Sequence, residues 1–178
     1  KTAKDNSIEF KDKKIKKIIV SCGLCYNMLK GYKELVPDWG IEVKHIISEI
    51  LDTLRENREK VRSFSSNPEI VYYDSCYLAR NEFIEQPREL LKMFGYKVIE
   101  LPYNKEDTLC CGSCGGLMHT NKELAEKIVF NFIKMLKRKN VKRLVTSDPR
   151  AYNHLKENFE KLGITDKEIE LLELSDII

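Results

Sequence analysis

Between Leu109 and Gly116 the chain reads Leu-Cys-Cys-Gly-Ser-Cys-Gly-Gly, which puts Cys110, Cys111 and Cys114 beside Gly112, Gly115 and Gly116. Thiolates are soft donors, and sulfur-rich sets select iron–sulfur clusters or zinc over hard cations. Adjacent side chains point in different directions, so a Cys-Cys pair packs poorly in a core. Around a cluster, by contrast, two adjacent thiolates reach different metal ions. The glycines let the backbone turn sharply and approach a bulky inorganic group. Three more cysteines, Cys22, Cys25 and Cys76, bring the total to 6. No signal-peptide pattern opens the sequence, so this grouping points to metal or redox chemistry rather than a disulfide scaffold. The expected compartment is the cytoplasm.

The elements that must position these thiols follow from periodicity. Residues 1–14 are polar and read as a lead-in. Ile15 to Ser21 reads as a buried strand that ends just before Cys22. A short helix is expected from about Leu24 to Leu35, stopped by Pro37. Ile41 to Lys44 is a short strand, leading into a helix with Ile46, Ile47, Ile50, Leu51 and Leu54 on one face. Arg55 to Pro68 reads as a polar connection. Ile70-Val71-Tyr72-Tyr73 is a strand, with Asp74-Ser75-Cys76 at its end. Pro87 opens a helix through Phe94, and Gly95 ends it. Lys97 to Leu101 is a strand.

Thr120-x-x-Glu123 reads as a capping box before a long helix with Leu124, Ile128, Phe132, Met135 and Leu136 on one face. Val141 to Thr146 is a strand, and Ser147-Asp148-Pro149 starts a helix that buries Leu155, Phe159 and Leu162. Glu168 to Leu174 is the last strand. Strands alternating with helices imply a Rossmann-like α/β fold, a mainly parallel sheet flanked by helices. Residues 15–178 read as one domain. Ligands in such folds collect at the carboxyl edge of the strands, and Cys22, Cys76 and Asp148 each follow a strand directly.

Composition narrows the function. A chain of 178 residues can bury one sizeable core, and its net charge of +3 gives no support to nucleic-acid binding. The basic clusters Lys11 to Lys17 and Lys134 to Arg143 read as solvated faces. No apolar run approaches the ~20 residues of a membrane span.

The local wording is similar to a known family. Tyr73-Asp74-Ser75-Cys76-Tyr77-Leu78-Ala79-Arg80, Gln86-Pro87-Arg88-Glu89-Leu90-Leu91, Leu109 to Gly116 and Val145-Thr146-Ser147-Asp148-Pro149 together resemble the cysteine-rich CCG domain. That family includes the B and D subunits of heterodisulfide reductase, the iron–sulfur subunit of glycolate oxidase, the anaerobic glycerol-3-phosphate dehydrogenase C subunit and lactate-utilisation proteins. The resemblance covers residues 68–155 closely and Ile18 to Leu54 more loosely. It implies a [4Fe-4S]-type iron–sulfur cluster, electron transfer, and other redox subunits of a multi-subunit complex as partners. In heterodisulfide-reductase members the clusters are non-cubane and cleave a disulfide. Members carry two repeats, and Cys22-Gly-Leu-Cys25 resembles the closing Cys-x-x-Cys of a first one. The chain is therefore expected to be part of a longer subunit.

The departures matter. Where the family's last Cys-x-x-Cys falls, this chain has Asp148-Pro149-Arg150-Ala151, so both thiols are replaced. Asp148 is either a carboxylate ligand or a helix cap. Cys114 stands where the family often has glycine and is a replacement ligand. The expected ligands are Cys76, Cys110 and Cys111 with some of Cys22, Cys25, Cys114 and Asp148. The alternatives are zinc held by Cys22/Cys25 and Cys111/Cys114, and a metal-free module that binds a partner subunit. His119 reads as a loop side chain more than as a ligand, Arg80 reads as a surface ion-pair partner as readily as a functional group, and His45 and His154 belong to helical patterns.

Overall fold

The computed structural model describes residues 1–61, 66–81 and 83–178, so part of the connection expected over 55–68 lies outside the described residues. The lead-in is largely helical, as α1 (Thr2–Asp12), and its Ala3 packs with Tyr32 and Val36. Next come β1 (Lys17–Val20), α2 (Gly23–Lys30), α3 (Tyr32–Leu35), β2 (Glu42–His45) and α4 (Ile46–Glu56). The cysteine-rich part contributes β3 (Glu69–Tyr73), α5 (Cys76–Ala79), α6 (Glu85–Met93), β4 (Lys97–Ile99), α7 (Leu117–Thr120) and α8 (Lys122–Arg138). The chain ends with β5 (Arg143–Thr146), α9 (Pro149–Lys161) and β6 (Glu170–Glu173).

All strand pairs among the described residues are parallel, as the alternation of strands and helices implies. The strands form two sheets: β1 pairs with β2, and the larger sheet runs β4-β3-β5-β6. β3 is central, and its apolar run reflects burial on both faces. Side chains alternate along a strand. Val71 and Tyr73 therefore join Val129, Phe132 and Leu136 of α8 and Leu155 and Phe159 of α9 on one side. Ile70 and Tyr72 meet Ile47, Leu51, Leu90 and Leu91 of α4 and α6 on the other.

Two expected helix faces shift. The cap of α8 is Asn121, whose side chain accepts from Leu124 N, rather than Thr120. The buried face is Ala125, Val129, Phe132, Ile133 and Leu136, and Leu124 is exposed. In α9, Leu155 and Phe159 are buried, while Leu162 lies at the exposed end. Among the described residues, no helix is long and apolar enough to cross a membrane.

Candidate metal centre

The carboxyl ends of β3 and β5 face a single loop. From β3 the chain runs through Asp74 and Ser75 to Cys76, which opens α5 and is buried. Asp74 fixes this exit. Its carboxylate accepts two bonds from Arg88, at 2.8 and 2.7 Å, and one from Lys105 N at 2.9 Å. Its carbonyl accepts from Thr108 Oγ1 at 2.7 Å, which fastens the stretch leading to the cysteines. Arg88 also forks onto Glu100 through Nε and Nη2, both at 2.7 Å, and its guanidinium lies over the Tyr72 ring.

The loop itself hangs on Tyr73. The phenol donates to Leu109 O and accepts from Cys111 N, both at 2.9 Å, and burial holds its pKa well above the usual value. Gly112 follows with φ +97°, and a Cβ there would stand 2.7 Å from Ala125 O of α8. Only glycine permits this close approach in the left-handed region. It turns the chain so that Cys110 and Cys114 face Cys76. Their sulfurs lie within 4.8 Å of one another, and Cys76 Sγ stands 3.0 Å from Cys114 Sγ.

The charge state of the trio is informative. Hydrogen bonds from Cys114 and Cys76, with Gly112 N at 3.3 Å, pull the Cys110 thiol down to about 2. The same sharing pushes Cys76 up to about 11 and Cys114 upward as well. A bound cation stabilises all three as thiolates, which is how metal binding releases protons. Arg80, exposed just beyond α5, adds positive charge near Cys76.

The other expected residues fall elsewhere. Cys111 is 0% exposed, lies in the core with Tyr73 and Leu101, and donates to Ser113 Oγ at 3.4 Å. Its direction is opposite to that of Cys110 because successive side chains leave the backbone on opposite sides. Burial pushes its thiol up. Asp148 caps α9: Oδ1 accepts from Arg150 N at 3.0 Å and Oδ2 from Ser75 Oγ at 2.5 Å. The cap thereby joins the exits of β3 and β5, as does the Tyr72–Ser147 hydroxyl bond at 2.6 Å. Cys22 stands at the N-cap position of α2 without making a side-chain cap bond, and Cys25 is exposed one turn on; neither belongs to the trio. His119 is exposed. His45 is the N-cap of α4, and His154 is buried on α9.

Sequence reasoning passes over two residues. Arg88 is legible only as part of a helix start, since a buried arginine runs against composition. Arg150 reads only as a replaced position, yet its guanidinium lies among Cys22, Cys114, Asp148 and Tyr77.

The donor set fits a thiolate-ligated metal or iron–sulfur group. Three soft sulfurs converge, and beside them Gly115 and Gly116 adopt positive φ with open space around them. Fold and site thus define an α/β domain with a thiol-lined carboxyl edge. Residues 70–156 match the family model of the CCG cysteine-rich domain, and this segment of the chain belongs to that family.

Curated relatives resemble a larger part of the chain. A probable iron-sulfur-binding oxidoreductase, FadF, of Bacillus subtilis is 35% identical over 71% of this chain and 18% of its own length. The B subunit of a fumarate reductase (CoM/CoB) of Methanothermobacter marburgensis is 29% identical over 90% of this chain and 32% of its own. The D subunit of the dihydromethanophenazine:CoB–CoM heterodisulfide reductase of Methanosarcina mazei is 29% identical over 69% of this chain and 31% of its own. The chain thus spans under a third of the length of these relatives.

Proposed function

We propose that the chain is an iron–sulfur-binding, electron-transferring part of a multi-subunit oxidoreductase. One observation carries this reading: three sulfurs from two separate segments meet at the carboxyl edge of a parallel sheet. The relatives' names support it, since they describe iron–sulfur and reductase proteins. Cys76, Cys110 and Cys114 would hold the group. Bound there, it would supply one-electron redox chemistry.

The chain's own residues do the positioning. Tyr73 anchors the loop, the Arg88–Asp74 pair fixes the Cys76 turn, and Asp148 locks β3 to β5. Cys111, with its thiol in the core, and Asp148, committed to a cap, are given no ligand role. Residues 15–178 act as one α/β unit, other redox subunits are the partners, and free thiols of this kind persist in the reducing cytoplasm.

Anaerobically purified protein should show a visible band that dithionite bleaches and air restores. A colourless protein with zinc at the thiols would favour a structural metal site and end the electron-transfer reading.

A further inference from the structure

The end of the larger sheet away from the thiols carries a cleft of about 400 Å³. It opens between the start of β3, the exit of β4 and the turn that joins α8 to β5. Alternation along β4 makes its floor. Val98 joins the cluster of Leu90 and Leu91 of α6 on one face of the sheet. Ile99 turns to the α8 side and is only half-buried there. Val71, Leu101 and Val141 complete the apolar floor beside it. A volume of this size suits a small organic molecule, and an apolar lining with a few polar groups is the usual setting for one.

The charges at the rim are unevenly matched. Glu69 and Glu100 line the cleft, but both have partners. Arg88 forks onto Glu100 with two bonds of 2.7 Å, and Lys97 stands 2.7 Å from Glu69. Arg143 is likewise held, 2.6 Å from Glu170. Lys139 and Lys142 also line the cleft; both are exposed and form no ion pair among the described residues. The end of α8 does little to offset them. Asn140 adopts the left-handed region (φ +53°), and the amides of Lys139, Asn140 and Val141 bond back to the carbonyls of Met135, Lys137 and Leu136. Three of the helix's last acceptors are therefore already used. Two ammonium groups are left uncompensated at the mouth of an apolar cleft.

We propose that this cleft binds a small amphipathic anion, an acyl carboxylate of medium chain length. The chain covers Ile99 and Val141 and removes apolar surface from water. The carboxylate stands between Lys139 and Lys142. A cationic amphiphile of the same length would bring like charge to the same mouth and is disfavoured. β3 starts at the cleft and ends at the turn to Cys76, so this site is separate from the thiol trio and does not depend on what the trio holds.

Isothermal titration calorimetry of the full chain with sodium decanoate at low salt tests the proposal. One saturable site with a submillimolar Kd is expected. Octanoate should bind about tenfold more weakly, because each buried methylene contributes roughly fourfold. Decyltrimethylammonium should bind weakly or not at all. Lys139→Gln/Lys142→Gln should lose about tenfold in decanoate affinity. Ile99→Phe, which fills the floor, should abolish binding. The lysine double variant changes only exposed side chains, so it decides the matter should Ile99→Phe fail to fold. The proposal is overturned if no saturable heat appears up to about 5 mM decanoate. Unchanged affinity in the lysine double variant, or equal affinity for decyltrimethylammonium, overturns it as well.

Discussion

Cys110→Ser protein should emerge from an anaerobic preparation pale and with its iron largely gone, while its far-ultraviolet circular dichroism matches wild type. Cys110 Sγ lies within 4.8 Å of the sulfurs of both Cys76 and Cys114, so its loss removes one of the three converging donors. A serine hydroxyl is a harder donor and stays protonated near neutrality. Four-ligand structural zinc sites bind with about 10–16 kcal/mol, so one ligand carries on the order of 3 kcal/mol. That corresponds to roughly a hundredfold in affinity. Cys110 is only half-buried and belongs to no core cluster, which is why the fold should persist. Cys111→Ser is the contrasting variant. It places a hydroxyl in an apolar core and should destabilise the fold while leaving the iron content near wild type. Metal analysis with thermal unfolding on both variants separates the two roles, and equal iron loss in both would refute the assignment.

Arg88→Met should lower the unfolding temperature by about 10 °C. Arg88 and Asp74 have side chains only 3% and 1% exposed. Removing the guanidinium leaves Asp74 charged and buried, with the Lys105 amide as its remaining partner. Breaking a buried pair from one side costs about 3–5 kcal/mol, and each kcal/mol shifts a domain of this size by roughly 2–4 °C. The Cys76 turn hangs from Asp74, so iron retention should fall with stability. Arg88→Lys should recover only part of the loss, because an ammonium cannot fork onto Asp74 and Glu100 together. Calorimetry of the three proteins checks this. A melting temperature for Arg88→Met within about 2 °C of wild type would mean that the pair contributes no net stability.

Legibility in the residues differs from element to element. The strand ending at Tyr73, the turn to Cys76 and the Asp148-Pro149 helix start all follow from local chemistry that tertiary packing leaves intact. So does the parallel order, since the alternation of strands and helices permits little else. The α8 face is less legible. Thr120 and Asn121 both qualify as caps, and packing against the sheet decides which of the neighbouring apolar residues are buried. The structure chooses Asn121 and brings the Ala125 carbonyl up against Gly112.

The cysteine pair is legible as chemistry but not as geometry. Nothing local says which of Cys110 and Cys111 faces outward, because Tyr73, at the end of a distant strand, sets the loop's rotation. Arg88 is hidden for the same reason: its partners Asp74 and Glu100 come from elements that meet only in the folded sheet.

The measurement that bears most directly on the thiol trio is iron and acid-labile sulfide in wild-type protein prepared without oxygen, alongside tagging of its cysteines. We predict iron and sulfide in comparable amounts, with Cys76, Cys110 and Cys114 shielded from the tag until the metal is stripped. Protein free of metal, whose three thiols take the tag at once in the native fold, would contradict the account.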